Sequence, residues 1–115
     1  MTVTSRSPTS TWVDVCAFDQ LTPGRGVCAL VAGHQVALFR EDEDVFALSN
    51  YDPFSQAFVL SRGIVGSRGD RLMVASPIFK QSFDLVTGVC LDDQSVSIPT
   101  FSCRVVDGRV QVARP

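Results

Sequence analysis

The side chains that could carry out chemistry are few and scattered in this sequence of 115 residues. His34 is the single histidine, and its neighbours Gly33 and Gln35 offer no carboxylate that would orient an imidazole beside a nucleophile. Asp92 and Asp93 form a carboxylate pair, but they lie in a polar connector, where ordinary exposed acids are expected. We therefore expect His34 to be a surface turn residue and the chain to have no catalytic site of its own.

The cysteines are dispersed, and none of them forms the C-x-x-C, C-x-H or C-x-x-H spacing of a metal site. Each is flanked by apolar or small residues, which favours free thiols that are buried and pack as small hydrophobic side chains. Because the sequence has four cysteines, two disulfides in any of three pairings remain possible. The residues concerned are Cys16, Cys28, Cys90 and Cys103.

The charge of the chain argues against a nucleic-acid partner, because the net charge is −2 and the pI is about 5.1. The run Glu41–Asp44 is acidic and is typical of a hairpin tip that projects into water. Arg62, Arg68 and Arg71 form a mild basic group, for which a solvated loop is the ordinary interpretation. Gly24-Arg25-Gly26 has no helix after it and so does not predict a phosphate-binding loop.

No membrane-spanning segment is expected, because no apolar run approaches the ~18 residues that cross a bilayer. Met1–Ser10 is rich in Thr and Ser and lacks the apolar region of a secretory signal, so we expect a disordered tail there. The remaining residues, 11–115, have the length of one globular domain, and the 45% hydrophobic content of the whole sequence is that of a globular protein. The cytoplasm is the expected location.

The elements that must position any site are short strands, since alternating apolar residues recur between turn residues without a helical period. Asp107-Gly108, set between two alternating runs, is a strong β-hairpin signal because a type I′ turn needs positive φ at both positions. These features predict an antiparallel all-β sandwich or small barrel. The predicted strands are Thr11–Phe18, Val27–Val31, Gln35–Phe39, Val45–Leu48, Leu72–Ala75, Phe83–Val86, 101–105 and 110–112.

The segment Ser49–Arg71 differs from the rest, because its apolar residues have no steady period and glycines interrupt it. We predict a long loop there, with a helical turn around Gln56–Leu60. Loops of this length inside compact domains usually carry function.

Two segments resemble the cluster-binding loops of the Rieske domain. Phe46–Phe54 (FALSNYDPF) resembles the first loop and the strand before it, and Val74–Gly88 (VASPIFKQSFDLVTG) resembles the second. The similarity extends from about Trp12 to Val112. It implies an all-β Rieske-like antiparallel sandwich or small barrel from which two loops project.

The resemblance places residues that cannot bind iron at the ligand positions. Asp52 and Ser76 occupy the cysteine positions of the two loops, and Phe54 and Phe79 occupy the histidine positions. A Rieske centre needs two Cys and two His, so the resemblance implies no [2Fe–2S] cluster and no other metal in this chain. We expect Asp52 and Ser76 to cap backbone N–H groups, and the two Phe rings to face one another in the vacated volume. Alternatively, the two Phe residues are ordinary core residues.

Within this superfamily, three stretches are similar to the small subunit of NAD(P)H nitrite reductases: Leu48–Ser55, Val59–Gly66 and Ala75–Gln81. This resemblance implies a non-catalytic subunit in the cytoplasmic reduction of nitrite to ammonium during nitrate assimilation. The implied partner is a large subunit that carries FAD, siroheme and an iron–sulfur cluster, whereas this chain carries no cofactor.

Residues that could dock such a partner are apolar, aromatic or basic and belong to the two loop regions. We predict that Pro53, Phe54, Arg62, Arg68, Lys80 and Gln81 contact the large subunit.

Two alternatives differ in function class. The chain could be a stand-alone Rieske-like β domain that binds a small molecule or another protein, which a nitrite reductase assay with and without the chain would distinguish. It could instead be a Rieske ferredoxin that passes electrons to an oxygenase, but the single histidine argues against that alternative.

Overall fold

The structure is a computed structural model that describes residues 11–114. Within this range the chain forms twelve β-strands and two 3-10 helices of three residues each. The strands are β1 (Trp12–Ala17), β2 (Val27–Val31), β3 (His34–Glu41), β4 (Asp44–Ser49), β5 (Tyr51–Asp52), β6 (Ala57–Phe58), β7 (Ile64–Arg68), β8 (Arg71–Ala75), β9 (Ser82–Asp84), β10 (Thr100–Phe101), β11 (Cys103–Val106) and β12 (Arg109–Ala113). The helices are Phe18–Gln20 and Leu60–Arg62.

All strand pairs are antiparallel, as expected. A three-stranded sheet in the order β1-β12-β11 and a four-stranded sheet in the order β10-β4-β3-β2 form the base of the fold. Between β4 and β10 the chain leaves this base and forms a two-stranded sheet, β5-β6, and a three-stranded sheet, β7-β8-β9. The predicted all-β fold is confirmed, and the loops of interest belong to this insertion.

Tight hairpins set the register of the base. β2 and β3 join at Ala32 and Gly33, and β11 and β12 join at Asp107 and Gly108. All four residues have positive φ, between 49° and 85°, as the type I′ turn requires. The acidic run forms the tip between β3 and β4, where Glu41 lies opposite Asp44 in the strand register. The predicted hairpin tip is therefore confirmed.

β3 is buried on both faces and separates two hydrophobic clusters. Val36 and Leu38 pack with Val110 and Val112 between the two base sheets. Ala37 and Phe39 point to the other side and pack against the insertion. The second cluster also includes Leu48, Leu60, Val74, Phe83, Leu85, Cys90 and Ile98. The insertion is therefore anchored on the base by a shared core.

The long loop predicted over 49–71 is more ordered than the sequence suggested, because it contains β5, β6 and β7. The helical turn predicted at Gln56–Leu60 is wrong: β6 occupies Ala57–Phe58, and the 3-10 helix begins only at Leu60. The reason lies at Gln56, whose φ of 57° reverses the direction of the chain. In this conformation its N–H donates a hydrogen bond to the carbonyl oxygen of Asp52.

The prediction of a disordered tail concerns residues 1–10, which lie outside the described residues. Within residues 11–114, neither of the two helices has the length or the apolar character that crossing a membrane requires.

Candidate functional site

The first loop is built on the side chain of Asp52, the last residue of β5. Its Oδ1 accepts the backbone N–H of Phe54 at 2.9 Å, and its carbonyl oxygen accepts the N–H of Gln56 at 2.8 Å. Asp52 thus caps the loop, as expected from the sequence.

The second loop has the same construction around Ser76, which follows β8. Its Oγ accepts the N–H of Ile78 at 3.3 Å, and its carbonyl oxygen accepts the N–H of Lys80 at 3.1 Å. Lys80 has a φ of 68°, just as Gln56 has positive φ in the first loop. In both loops, therefore, the residue at the cysteine position of the Rieske pattern organises the turn that follows it.

The two loops are joined by a hydrogen bond between these two residues. The hydroxyl of Ser76 donates to Oδ2 of Asp52 at 2.5 Å, and the hydroxyl of Ser55 donates to the same oxygen at 2.8 Å. Asp52 and Ser76 are both 0% exposed. Burial alone would raise the pKa of the Asp52 carboxyl, but bonds from Ser76, Ser55 and the backbone hold that pKa below its ordinary value. The carboxylate is therefore ionised and bridges the loops.

The two phenylalanines do not face one another, so that expectation is wrong. Phe54 is half-buried, and its ring lies 6.2 Å from that of Phe83 in the core of the insertion. Phe79 is 59% exposed. The carboxylate and hydroxyl of Asp52 and Ser76 already tie the loops together, so Phe79 can remain at the surface.

The Phe-Asp-x-x-Thr-Gly portion of the second segment, residues 83–88, forms a turn. Oδ1 of the buried Asp84 accepts the N–H groups of Val86 and Thr87, which ends β9 two residues earlier than predicted. Its Oδ2 accepts a bond from Arg71. Burial raises the pKa of the Asp84 carboxyl, but the Arg71 guanidinium and the two N–H groups outweigh it and lower the pKa. This turn holds the outgoing end of the second loop.

The fold agrees with comparisons to known proteins. The sequence profile of the Rieske-like [2Fe–2S] domain matches residues 11–113. The nitrite reductase (NADH) small subunit of Salmonella typhimurium strain LT2 is 48% identical over 105 residues, which cover 90% of this chain and 97% of that protein.

The chain belongs to the family of nitrite reductase small subunits. A solution structure of the nitrite reductase [NAD(P)H] small subunit from Erwinia carotovora superposes with a TM-score of 0.78 and 50% identity, covering 92% of this chain and 83% of that one. A segment of the nitrite reductase [NAD(P)H] large subunit of Klebsiella oxytoca is 35% identical over 105 residues, covering 91% of this chain and 11% of that protein.

The loop residues of this chain do not fit the [2Fe–2S] cluster after which its domain family is named. The ligand positions offer one carboxylate and one hydroxyl, already bonded to each other, together with two hydrocarbon rings. A Rieske cluster takes thiolate and imidazole ligands. Within the part of the chain that the structure describes, no three His, Cys, Asp or Glu side chains are grouped to hold a metal ion.

The cysteines and the histidine are outside the two loops in the sequence, although Sγ of Cys28 accepts a bond from Nδ2 of Asn50 at 3.5 Å, just before the first loop. All four cysteines are free thiols, so neither disulfide forms. Cys90 is buried as predicted, whereas Cys28 is exposed on the edge strand β2, which corrects the expectation for that residue. Burial raises the pKa of the Cys103 thiol to about 11. His34 is exposed, as expected, but it is the first residue of β3 and pairs with Val31, so it follows the turn in which the sequence placed it.

The predicted docking residues separate into two groups. Arg62 and Lys80 are exposed beside the loops, and Pro53, Phe54 and Gln81 are half-buried there. Arg68 lies at the far end of β7 and pairs with Asp92 at 3.1 Å, so its guanidinium is already engaged.

Sequence reasoning missed two exposed side chains beside these residues, Ile64 and Ile78. Their only signal in the sequence is that they are apolar residues in segments where apolar residues have no regular spacing.

Proposed function

We propose that this chain is the non-catalytic small subunit of a cytoplasmic NAD(P)H-dependent nitrite reductase, which reduces nitrite to ammonium in nitrate assimilation. Membership in the small-subunit family carries the proposal, since the similarity to the Salmonella protein spans 97% of that protein at 48% identity. Residues 11–115 form the domain that performs this role, and residues 1–10 precede it.

The proposed partner is the large subunit of the same enzyme, carrying FAD, siroheme and an iron–sulfur cluster. The Klebsiella oxytoca relative supports this partner, because there a segment similar to 91% of this chain makes up 11% of a large subunit. A domain that is covalently part of the large subunit in one organism is expected to bind it non-covalently where the two are separate chains.

The proposed role in the complex is structural rather than electron-carrying. The bond from Ser76 to Asp52 supports it, because this bond gives the paired loops a fixed shape that depends on no metal. A rigid pair of loops suits recognition, since little ordering entropy is lost when a preformed surface binds. Electrons would then pass from NAD(P)H to nitrite through the groups of the large subunit.

Nitrite-dependent oxidation of NADH or NADPH tests the proposal. The purified large subunit is assayed alone and with this chain, and we expect the rate or the stability of the activity to rise when the chain is added. Iron and acid-labile sulfide are measured in parallel on this chain alone, where we expect neither in stoichiometric amount.

Equal activity with and without the chain, and no complex on gel filtration, would favour the stand-alone binding domain instead. A brown chain with stoichiometric iron and sulfide would end the proposal of a cluster-free subunit and favour a ferredoxin.

A further inference from the structure

Three exposed apolar side chains gather around Ser76, and we call them the tip patch: Ile64, Ile78 and Phe79. They are 66%, 45% and 59% exposed. Ile64 pairs across β7 and β8 with Ala75, the residue before Ser76, while Ile78 donates its N–H to the Ser76 hydroxyl and Phe79 follows it. An apolar surface of this kind marks an interaction site more often than a lone exposed residue does.

The surroundings of the tip patch are basic. Residues 53–67 and 76–81 contain Arg62 and Lys80 but no Asp or Glu, and the Asp52 carboxylate between the loops is fully buried, although the whole chain has a net charge of −2. Both basic residues are exposed, and within residues 11–114 neither forms a salt bridge. Arg62 lies two residues from Ile64, and Lys80 directly follows Phe79. The tip patch therefore has free positive charge at its rim.

The loops hold the tip patch in one arrangement. Ser76 is bonded to Asp52 in the other loop, and Lys80 is fixed by the bond from its N–H to the carbonyl of Ser76. Because the backbone is already ordered, binding would cost mainly the rotamer freedom of a few side chains.

We propose that the tip patch inserts into an apolar pocket on the nitrite reductase large subunit, and that carboxylates at the rim of that pocket receive Arg62 and Lys80. This inference rests on the proposed function and adds the chemistry of the partner surface. An apolar centre with a charged rim is the usual anatomy of such an interface. A second copy of this chain is a poor occupant, because its own tip would bring like charges together.

The apolar centre is tested with Phe79→Ser and Ile78→Ser. Both side chains are exposed, so the melting temperature of the isolated chain should not change. Affinity for the cofactor-loaded large subunit is measured by calorimetry, and we expect each variant to weaken binding about tenfold or more, as for a central interface residue. Val106→Ser, an exposed apolar residue of β11 outside the insertion, is the matched control and should bind like the wild type.

The basic rim is tested with Lys80→Glu and with the double variant Arg62→Glu/Lys80→Glu. We expect weaker binding at low salt and a flatter dependence of affinity on salt than in the wild type, because rim charges act mainly through screened attraction. Arg104→Glu makes the same charge change on β11, outside the insertion, and should keep the wild-type salt dependence.

The outcomes separate this inference from the proposed function. If the wild type binds the large subunit and all the tip variants bind equally well, the tip patch is not the docking surface, while the proposed function stands. If the tip variants weaken binding but the charge variants keep the wild-type salt dependence, the proposal of carboxylates at the rim of the large-subunit pocket is wrong. If the wild type does not bind at all, the proposed function fails and takes this inference with it.

Discussion

Asp52 and Ser76 stand where the Rieske pattern has cysteines, and together they do mechanically what a bridging cluster would do. Each caps its own loop, and one hydrogen bond between them connects residues that are 24 positions apart in the chain. Both side chains are buried, so the bond is shielded from water. Loss of either side chain would leave a buried polar group without this hydrogen bond and would lower the free energy of unfolding. The relative position of the two loops therefore depends on one serine hydroxyl and one carboxylate.

Removing this hydroxyl should loosen the loops. We expect Ser76→Ala to lower the free energy of unfolding by about 1–3 kcal/mol, because the buried carboxylate of Asp52 loses a donor. Chemical denaturation measures the loss, and Ser95→Ala, in an exposed turn, is the control that should stay near the wild type. A Ser76→Ala protein as stable as the wild type would mean that Ser55 and the backbone N–H groups satisfy the Asp52 carboxylate without Ser76.

Acidification should act on the same bond. The lowered pKa values of Asp52 and Asp84 stabilise the folded state at neutral pH. That stability is fully present above the carboxyl pKa of the unfolded state, which is about 3.9. It is lost as the pH falls through the lower pKa of the folded state. We therefore expect the melting temperature to fall mainly below about pH 4.

The melting temperature of the variant Asp52→Asn should be lower than that of the wild type at pH 7, and it should fall less on acidification. Asp107→Asn, in the exposed β11–β12 turn, should keep the wild-type acid profile. Parallel acid profiles for the wild type and Asp52→Asn would contradict a contribution from the Asp52 carboxyl.

At the site, the sequence identified the individual residues better than their contacts. The resemblance located Asp52 and Ser76, and their short polar side chains correctly predicted caps. The bond between them could not be predicted, because it depends on how the insertion folds onto the base. The same limit explains the wrong pairing of Phe54 with Phe79: no local pattern reveals that Phe83 offers the first ring a place in the core.

Among the elements of the insertion, the chain between the 3-10 helix and β7 runs so close to β8 that only glycine fits there. A Cβ on Gly63 would collide with the carbonyl oxygen of Ala75 and would lie 2.7 Å from Cγ2 of Val74. Ala75 directly precedes Ser76, so this contact also fixes where the second loop begins.

Gly63→Ala should therefore force the segment before β7 away from β8. We expect a loss of about 1–3 kcal/mol in the free energy of unfolding, the usual cost of overpacking. Gly66→Ala is the control: its Cβ would meet only the Cε atom of Met73 at 3.4 Å, which a flexible side chain can accommodate. Equal stability of the two variants in a denaturant titration would show that β8 can shift without strain.

The strands of the base other than β10 could be predicted because each of them contains enough residues to show alternation. The Val27–Val31 strand has the predicted bounds, and the Asp107-Gly108 turn lies where its signal placed it. β5, β6 and β10 have two residues each, too few for a period. β7 was missed because Gly66 and the polar Ser67 and Arg68 leave only two apolar residues in it.

On the scale of the whole molecule, the first and last described strands hold each other. β12 pairs with β1 on one side and with β11 on the other, and Trp12 lies opposite Ala113. The ends of the described chain are thus neighbours, and such proximity lets a domain be carried inside a longer chain. This is consistent with the occurrence of a similar segment within a large subunit.

A chain that ends at Val106 should not fold, because β1 and β11 both lose their shared partner and the buried Val110 and Val112 are removed. We expect loss of the cooperative melting transition in circular dichroism, since long-range strand pairs contribute only when both strands are present. A chain that ends at Arg114 keeps all twelve strands and should melt as the wild type does. Cooperative melting of the shorter chain would mean that β12 is dispensable.

The pairing of β1 with β12 also sets an order of events during synthesis. Trp12–Ala17 is translated well before its partner, Arg109–Ala113. Until then one base sheet stays open, and the apolar side chains of β1 are accessible to chaperones and proteases. Translation that stalls just before β12 would leave a nascent polypeptide whose β1 has no partner strand, so such incomplete copies would stay open to proteolysis.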